Sequence, residues 1–210
     1  MTGVQTCALP ILDPEKDFMS PVGFGALLGL LKNYEVINPF VSSTNDAFNR
    51  LKPGYEAPVC IVTSLGRGVD VPSRNRTVLV GLVREKKSPL ATRFELRAPN
   101  PKSNTYLVLA ASYMAMLDGI TRVLEECKTS KDLEASLSKE CGEEDFYLEK
   151  DRMYRSEEDV FEMYTEEERD RLFGKAPLTV WENLQAFKNE PLKLEIFKQG
   201  DVMQIGRAHV

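Results

Sequence analysis

Histidine is all but missing from this chain of 210 residues: the only one is His209, beside the C-terminus. Cysteine is sparse, at four, and tryptophan occurs once. Met1–Ile11 (MTGVQTCALPI) and Ile205–Val210 (IGRAHV) look like translated frames of a sequencing adapter. Neither has helical or strand periodicity, a cationic lead or an amphipathic face, so both are set aside as scars in reasoning about the fold. His209 and Cys7 go with them, which leaves residues 12–204 without histidine and with Cys60, Cys127 and Cys141. That excludes a Ser-His-Asp triad, a Cys-His pair or a histidine metal ligand within the stretch. The three cysteines are odd in number and lack metal-type spacing, which predicts core or surface thiols in a reducing compartment. A clustered basic face is also missing. Removing Arg207 from the 27 basic residues leaves 26 against 32 acidic ones, a formal net charge of −6. That balance argues against broad nucleic-acid binding. The most apolar stretch, Tyr106–Glu126, is interrupted by Ser112, Asp118 and Arg122, so no membrane span is expected.

What is present has the composition of an ordinary globular protein, in a length sufficient for one domain or a large piece of one. Ser20-Pro21 is a helix start, with Ser as cap and Pro at the first helical position. The segment to Tyr34 sets Phe24, Leu27, Leu28 and Leu31 at helical spacing. Gly23, Gly25 and Gly29 within it are close-packing positions rather than a phosphate loop, because the terminal Lys-Ser/Thr of such a loop is absent. Asn38-Pro39 is expected to end this helix. Strands are predicted over Ala57–Leu65, Thr77–Val83 and Thr92–Ala98, with turns such as Lys86–Pro89 between them. Together they predict an antiparallel sheet with one polar, working face, backed by a buried helix over Tyr106–Glu126. After Glu126 the chain turns charge-rich. Ser156 with Asp159 and Thr165 with Glu168 fit capping boxes of two short helices. An amphipathic helix carrying Trp181, Leu184 and Phe187 follows over Leu178–Phe187, and another is expected from Pro191 to a cap at Gly200. The acidic runs 143–145 and 166–168 are solvated helix faces on this reading, and Tyr147, Tyr154 and Tyr164 are surface or packing tyrosines.

Three charged clusters adjoin the predicted strands. On a strand, Arg93, Glu95 and Arg97 point to one side, placing a carboxylate between two guanidiniums. Taken alone this is either a surface ion-pair ladder or a site for anions and a hard cation. Arg74 and Arg76 are forks suited to phosphate or carboxylate. Pro53-Gly54-Tyr55-Glu56 is a tight turn with a carboxylate at its tip.

The order of these motifs resembles glutamine synthetase. Arg50-Leu51-Lys52-Pro53-Gly54-Tyr55-Glu56-Ala57-Pro58 comes first, then Asn75-Arg76-Thr77. Arg93-x-Glu95-x-Arg97-x-Pro99-x-Pro101 follows, then Asn104-x-Tyr106-Leu107 and Leu117-Asp118-Gly119-Ile120. The match covers roughly residues 38–120, and the charged tail is similar, less specifically, to the C-terminal part of the family's longer bacterial branch. The resemblance implies an α+β catalytic domain that is incomplete here, partial over 12–128 with a helical C-terminal part over 129–204. It implies ATP-dependent joining of ammonia to glutamate through γ-glutamyl phosphate, with ATP and Mg²⁺ or Mn²⁺ as cofactors. It also implies a cytoplasmic location and a ring-shaped homo-oligomer at full length. By position, Arg50 would hold the substrate's carboxylate and Glu56 would be the flap glutamate that takes a proton from ammonium. Arg76 would stabilise the transferring phosphate, Arg93 would lie near the nucleotide, Glu95 would be a ligand of the second metal, and Arg97 would face the reacting groups. Gly81 stands where the family often has an arginine, Asn100 where it has aspartate and Thr105 where it has proline. The family's upstream metal glutamates and His-x-His loop are not in this chain, so it is expected to be inactive alone. A non-catalytic nucleotide- or glutamine-sensing relative, a γ-glutamyl-amine ligase and a purely structural module are the alternatives.

Overall fold

The computed structural model describes residues 12–13, 18–51, 58–67, 71–84 and 92–189. The expectations for both scars, the Pro53–Glu56 turn, the Lys86–Pro89 turn and the helix from Pro191 to Gly200 lie outside these residues. A short antiparallel ribbon, β1 (Leu12–Asp13) with β2 (Phe18–Met19), opens the described chain. Helix α1 (Pro21–Lys32) begins where expected: the Ser20 Oγ accepts from the Gly23 N–H at 3.1 Å. It is buried from Gly23 to Leu31, not on one face alone, and each of its four fully buried leucines contributes about 1.5–3 kcal/mol. The chain does not break at Asn38-Pro39. After a hinge at Asn33, α2 (Tyr34–Val41) carries Pro39 inside it, and Asn38 O still accepts from Ser42 N at 2.7 Å. Proline removes one donor, but a two-turn helix fixed by tertiary contacts tolerates that loss.

A 3₁₀ turn, Ala47–Arg50, leads to the sheet of β3 (Thr63–Ser64), β4 (Val80–Val83) and β5 (Arg93–Leu96), in that order. The α+β class is as expected, and β4–β5 is antiparallel. The pairing of β3 with β4 differs from expectation: it is parallel. Residues 65–79 separate the two strands, which is length enough for the crossover that parallel strands require, where antiparallel pairing across a loop was expected. The free edge of β3 is covered from the C-terminal region. Thr63 bridges Arg155, and Cys60 bridges Lys175, so neither stretch presents unpaired backbone.

Helix α3 (Thr105–Glu125) starts at Asn104, whose side chain accepts from Tyr106 N and Leu107 N. It was expected, as a helix apolar on nearly all sides, to be the buried core helix behind the sheet. One face packs along α1, while Tyr106, Tyr113, Leu117 and Leu124 on the opposite side are exposed. By length and composition it is apolar enough to cross a membrane, its Ser, Asp and Arg notwithstanding. Then come α4 (Ser130–Leu137), α5 (Val160–Met163), α6 (Glu166–Phe173) and α7 (Val180–Asn189). Thr165 and Glu168 form the expected capping box on α6, and Thr129 with Asp132 forms another on α4. The box expected of Ser156 and Asp159 is not made: Asp159 itself caps α5, and the Ser156 hydroxyl donates to Glu158 O. On α7 the faces are reversed from expectation, with Trp181 65% exposed and Asn183 only 4%. Asn183 is drawn inward by a buried amide network. Asn38 donates to its Oδ1 at 2.7 Å, and its own Nδ2 donates to Ser42 O at 3.3 Å. One apolar core joins residues from Met19 to Ala176, including Leu133, Leu137, Tyr147 and Tyr154.

Candidate functional site

The register of the sheet sorts its side chains into two faces. Val80 opposes Leu96 and Leu82 opposes Phe94, and these face the core. The alternate positions form the polar face, where Ser64, Gly81 and Glu95 lie in one row across the three strands. Arg93 flanks Glu95 on the same face, opposite Val83. Arg97 follows at the other end, where its N–H donates to Leu79 O at 2.9 Å and extends the ladder. The period-2 reading of Arg93, Glu95 and Arg97 therefore holds: two half-buried guanidinium residues bracket an exposed carboxylate. Gly81 faces Glu95 with no side chain, and a Cβ placed there would meet only Val78 Cγ2, at 3.9 Å. The face is thus open at Gly81, in the centre of that row.

Arg76 is exposed, in the segment that enters β4 at the Arg97 end of the sheet. Its neighbours hold each other across it: Asn75 Oδ1 accepts from Thr77 N at 2.9 Å and from Thr77 Oγ1 at 2.7 Å. Arg50 ends the 3₁₀ turn, but its side chain lies outside the described part, as does Glu56 altogether. The described residues therefore set Arg93, Glu95 and Arg97 along one face of the sheet, with Arg76 in the segment that enters it at the Arg97 end. Guanidiniums fixed beside an open face suit the oxygens of a phosphoryl group. A hard divalent ion needs six or more oxygens. Among the described residues no cluster of three acidic, cysteine or histidine side chains could hold one, so Glu95 does not by itself make a metal site.

One group beside this face was not foreseen. Glu157 reaches from the C-terminal region to the end of β3. It accepts from the Ser64 hydroxyl, from Leu65 N at 3.2 Å, from Gly66 N at 2.9 Å and from Arg155 Nε at 2.8 Å. Burial pushes its carboxyl up, but the bonds from Ser64, Arg155 and the two backbone N–H groups outweigh this and hold it below the usual carboxylate range. A cleft of about 420 Å³ opens next to it, lined in part by Arg67, Ser73 and Arg74. No local pattern marks Glu157, since its partners on β3 lie more than ninety residues away.

A family model described as glutamine synthetase, catalytic domain, matches residues 10–150. The glutamine synthetase of Frankia alni is 38% identical over 121 residues, covering 54% of this chain and 24% of its own length. That of Clostridium saccharobutylicum is 41% identical over 115 residues, 53% of this chain and 23% of its own. In three dimensions, a cryoEM structure of Plasmodium falciparum glutamine synthetase aligns with a TM-score of 0.56 at 19% identity, over 91% of this chain and 38% of that one. At that identity the likeness shows the fold alone. The chain spans about a quarter of the length of the curated relatives it matches.

Proposed function

This chain belongs to the glutamine synthetase catalytic-domain family, and from that premise we propose that it is part of an ATP-dependent ligase that joins ammonia to glutamate. The observation that carries the reading is the Arg93-Glu95-Arg97 face, open toward Gly81 at the centre of the sheet. In this reaction the γ-carboxylate of glutamate attacks the γ-phosphorus of ATP, and ADP leaves. Ammonia then attacks the acyl carbon, loses a proton, and phosphate departs. Arg76 and Arg97 supply fixed positive charge for the phosphoryl oxygens and Arg93 lies on the nucleotide side, as phosphoryl transfer asks chiefly for positioning and charge. Arg50 holds the substrate carboxylate, and Glu56 takes the proton from ammonium. Mg²⁺ or Mn²⁺, when bound, would neutralise phosphate charge, and Glu95 would be one of its ligands. The enzyme is cytoplasmic and oligomeric in this reading.

The test is made on the full-length protein that contains this chain, with glutamate labelled by ¹⁸O in its γ-carboxylate. Glutamine should form only with ATP, and one labelled oxygen should appear in the released phosphate. Replacing Arg97 by Ala should lower kcat/KM by about a hundredfold or more, as loss of a group that stabilises the transition state does. Tight ATP binding with no glutamine would overturn the ligase reading in favour of a sensing relative, for which the bare position at Gly81 is the supporting observation.

A further inference from the structure

We propose that Glu157 is a positioning residue for Arg76: its carboxylate fixes the near end of the segment from which that arginine is presented, while its neighbours Ser156, Glu158 and Val160 hold the far end. The inference rests on the reading of Arg76 as a phosphate-binding group. The described stretches between β3 and β4 are 64–67 and 71–79, and residues 155–160 hold the first and the end of the second at Asn75 and Thr77. At the near end the Glu157 carboxylate takes donors from Ser64, Leu65 and Gly66, while Arg155 Nη2 donates to Gly66 O at 3.1 Å. At the far end Asn75 Nδ2 donates to Glu158 O at 2.6 Å and to Ser156 O at 3.4 Å, and Val160 N donates to Thr77 Oγ1 at 3.4 Å. The two ends are also joined directly, because the Ser64 and Ser73 hydroxyls are hydrogen-bonded and Ser73 Oγ accepts from Asn75 N at 3.1 Å.

Arg76 lies between two residues held by this clasp, Asn75 and Thr77, while its own side chain is exposed. A rigid backbone beneath a solvent-facing guanidinium is what a phosphate site needs, since the group must be in place before charge develops. A bare carboxylate near such a site would repel the ligand. Glu157 avoids this because Arg155 pairs with it at 2.8 Å and its donors absorb the remaining negative charge. The other charged groups nearby are an ion pair between Arg67 and Glu158, Glu134 on the far side of Arg155, and Arg74 on the cleft wall. Glu157 thus acts through the loop and not on the ligand.

The experiment uses the whole chain, with inorganic tripolyphosphate as the probe. Amide hydrogen exchange follows the loop, and the Arg76 Nε–H resonance reports the guanidinium. Glu157→Gln should speed exchange at Leu65, Gly66 and Thr77 by about ten- to a hundredfold, the loss expected for a hydrogen bond to a charged group. It should leave the amides of Leu27–Leu31 in α1 unchanged and weaken the response of Arg76 to tripolyphosphate about tenfold. Glu157→Asp should restore part of both effects, and Glu158→Gln should behave as wild type. Unchanged loop exchange overturns the proposal. So does loss of protection in α1 to the same extent as in the loop, which would assign Glu157 to overall stability. A wild-type Arg76 resonance that ignores tripolyphosphate, with loop exchange behaving as expected, would overturn the phosphate reading of Arg76 and leave the clasp standing.

Discussion

Glu157 and Glu95 sit on the same side of one small sheet and are opposites in environment. Glu95 is exposed and faces a glycine, whereas Glu157 is sunk among four donors. Because the folded Glu157 carboxyl lies below the ordinary glutamate range, its contribution to stability is complete above that range and is lost as pH falls through it. Protection factors of the Leu65 and Gly66 amides at several pH values should therefore show this loop more easily opened in Glu157→Gln than in wild type, by about 1.5–3 kcal/mol near neutrality. The two curves should converge in acid; parallel curves would refute the linkage. Glu95, Arg93 and Arg97 were legible in the sequence because alternation along a strand is a property of neighbours. Glu157 was not, because what gives it a role is a contact with residues 64–66, far away in the chain.

Between elements, the seam of α1 and α3 shows why small residues were kept. A Cβ on Gly119 would stand 2.2 Å from Gly25 O and 2.6 Å from Gly29 N, and one on Gly29 would stand 2.0 Å from Ala115 O. The obstacles are backbone atoms, so no rotamer change relieves them. Gly119→Ala should cost about 1–3 kcal/mol or more in chemical denaturation, against the slight gain alanine brings to an exposed helix position. A neutral result would mean that the helices can part without loss. The close-packing role of Gly25 and Gly29 was readable from the missing phosphate-loop ending. Their partner on α3 was not. Helix caps at Ser20 and Thr165 were read correctly, since a cap is decided within four residues. The faces of α3 and α7 were misjudged, because apolar residues run around much of α3 and a buried amide outweighed the aromatic face of α7.

At the scale of the molecule, the charged C-terminal part completes both the core and the sheet. Leu133, Leu137, Tyr147, Leu148, Tyr154 and Ala176 belong to the same apolar cluster as α1 and β4. Backbone from Tyr154, Ser156 and Gly174 pairs with the edge of β3: Thr63 N donates to Tyr154 O at 2.9 Å, Ser156 N to Thr63 O at 2.9 Å, and Ile61 N to Gly174 O at 3.4 Å. Fully burying a large apolar side chain is worth about 1.5–3 kcal/mol, and a domain's net stability is only about 5–15 kcal/mol. A chain ending at residue 128 should accordingly lose its cooperative urea transition and bind a hydrophobic dye. A sharp transition in that truncated chain would show that residues 12–128 are self-sufficient.

The sequence by itself determined the α+β class, the starts of α1 and α6, the face shared by Arg93, Glu95 and Arg97, and, through five motifs in order, the family. These follow from short-range stereochemistry or from residues that the chain carries openly. Only the tertiary structure decided the parallel pairing of β3 with β4, the exposed side of α3, the inward turn of Asn183 and the clasp of Glu157 on the arginine loop. Each depends on which distant segments meet, and that is settled by the burial and hydrogen-bond satisfaction of the whole chain, which no local pattern encodes.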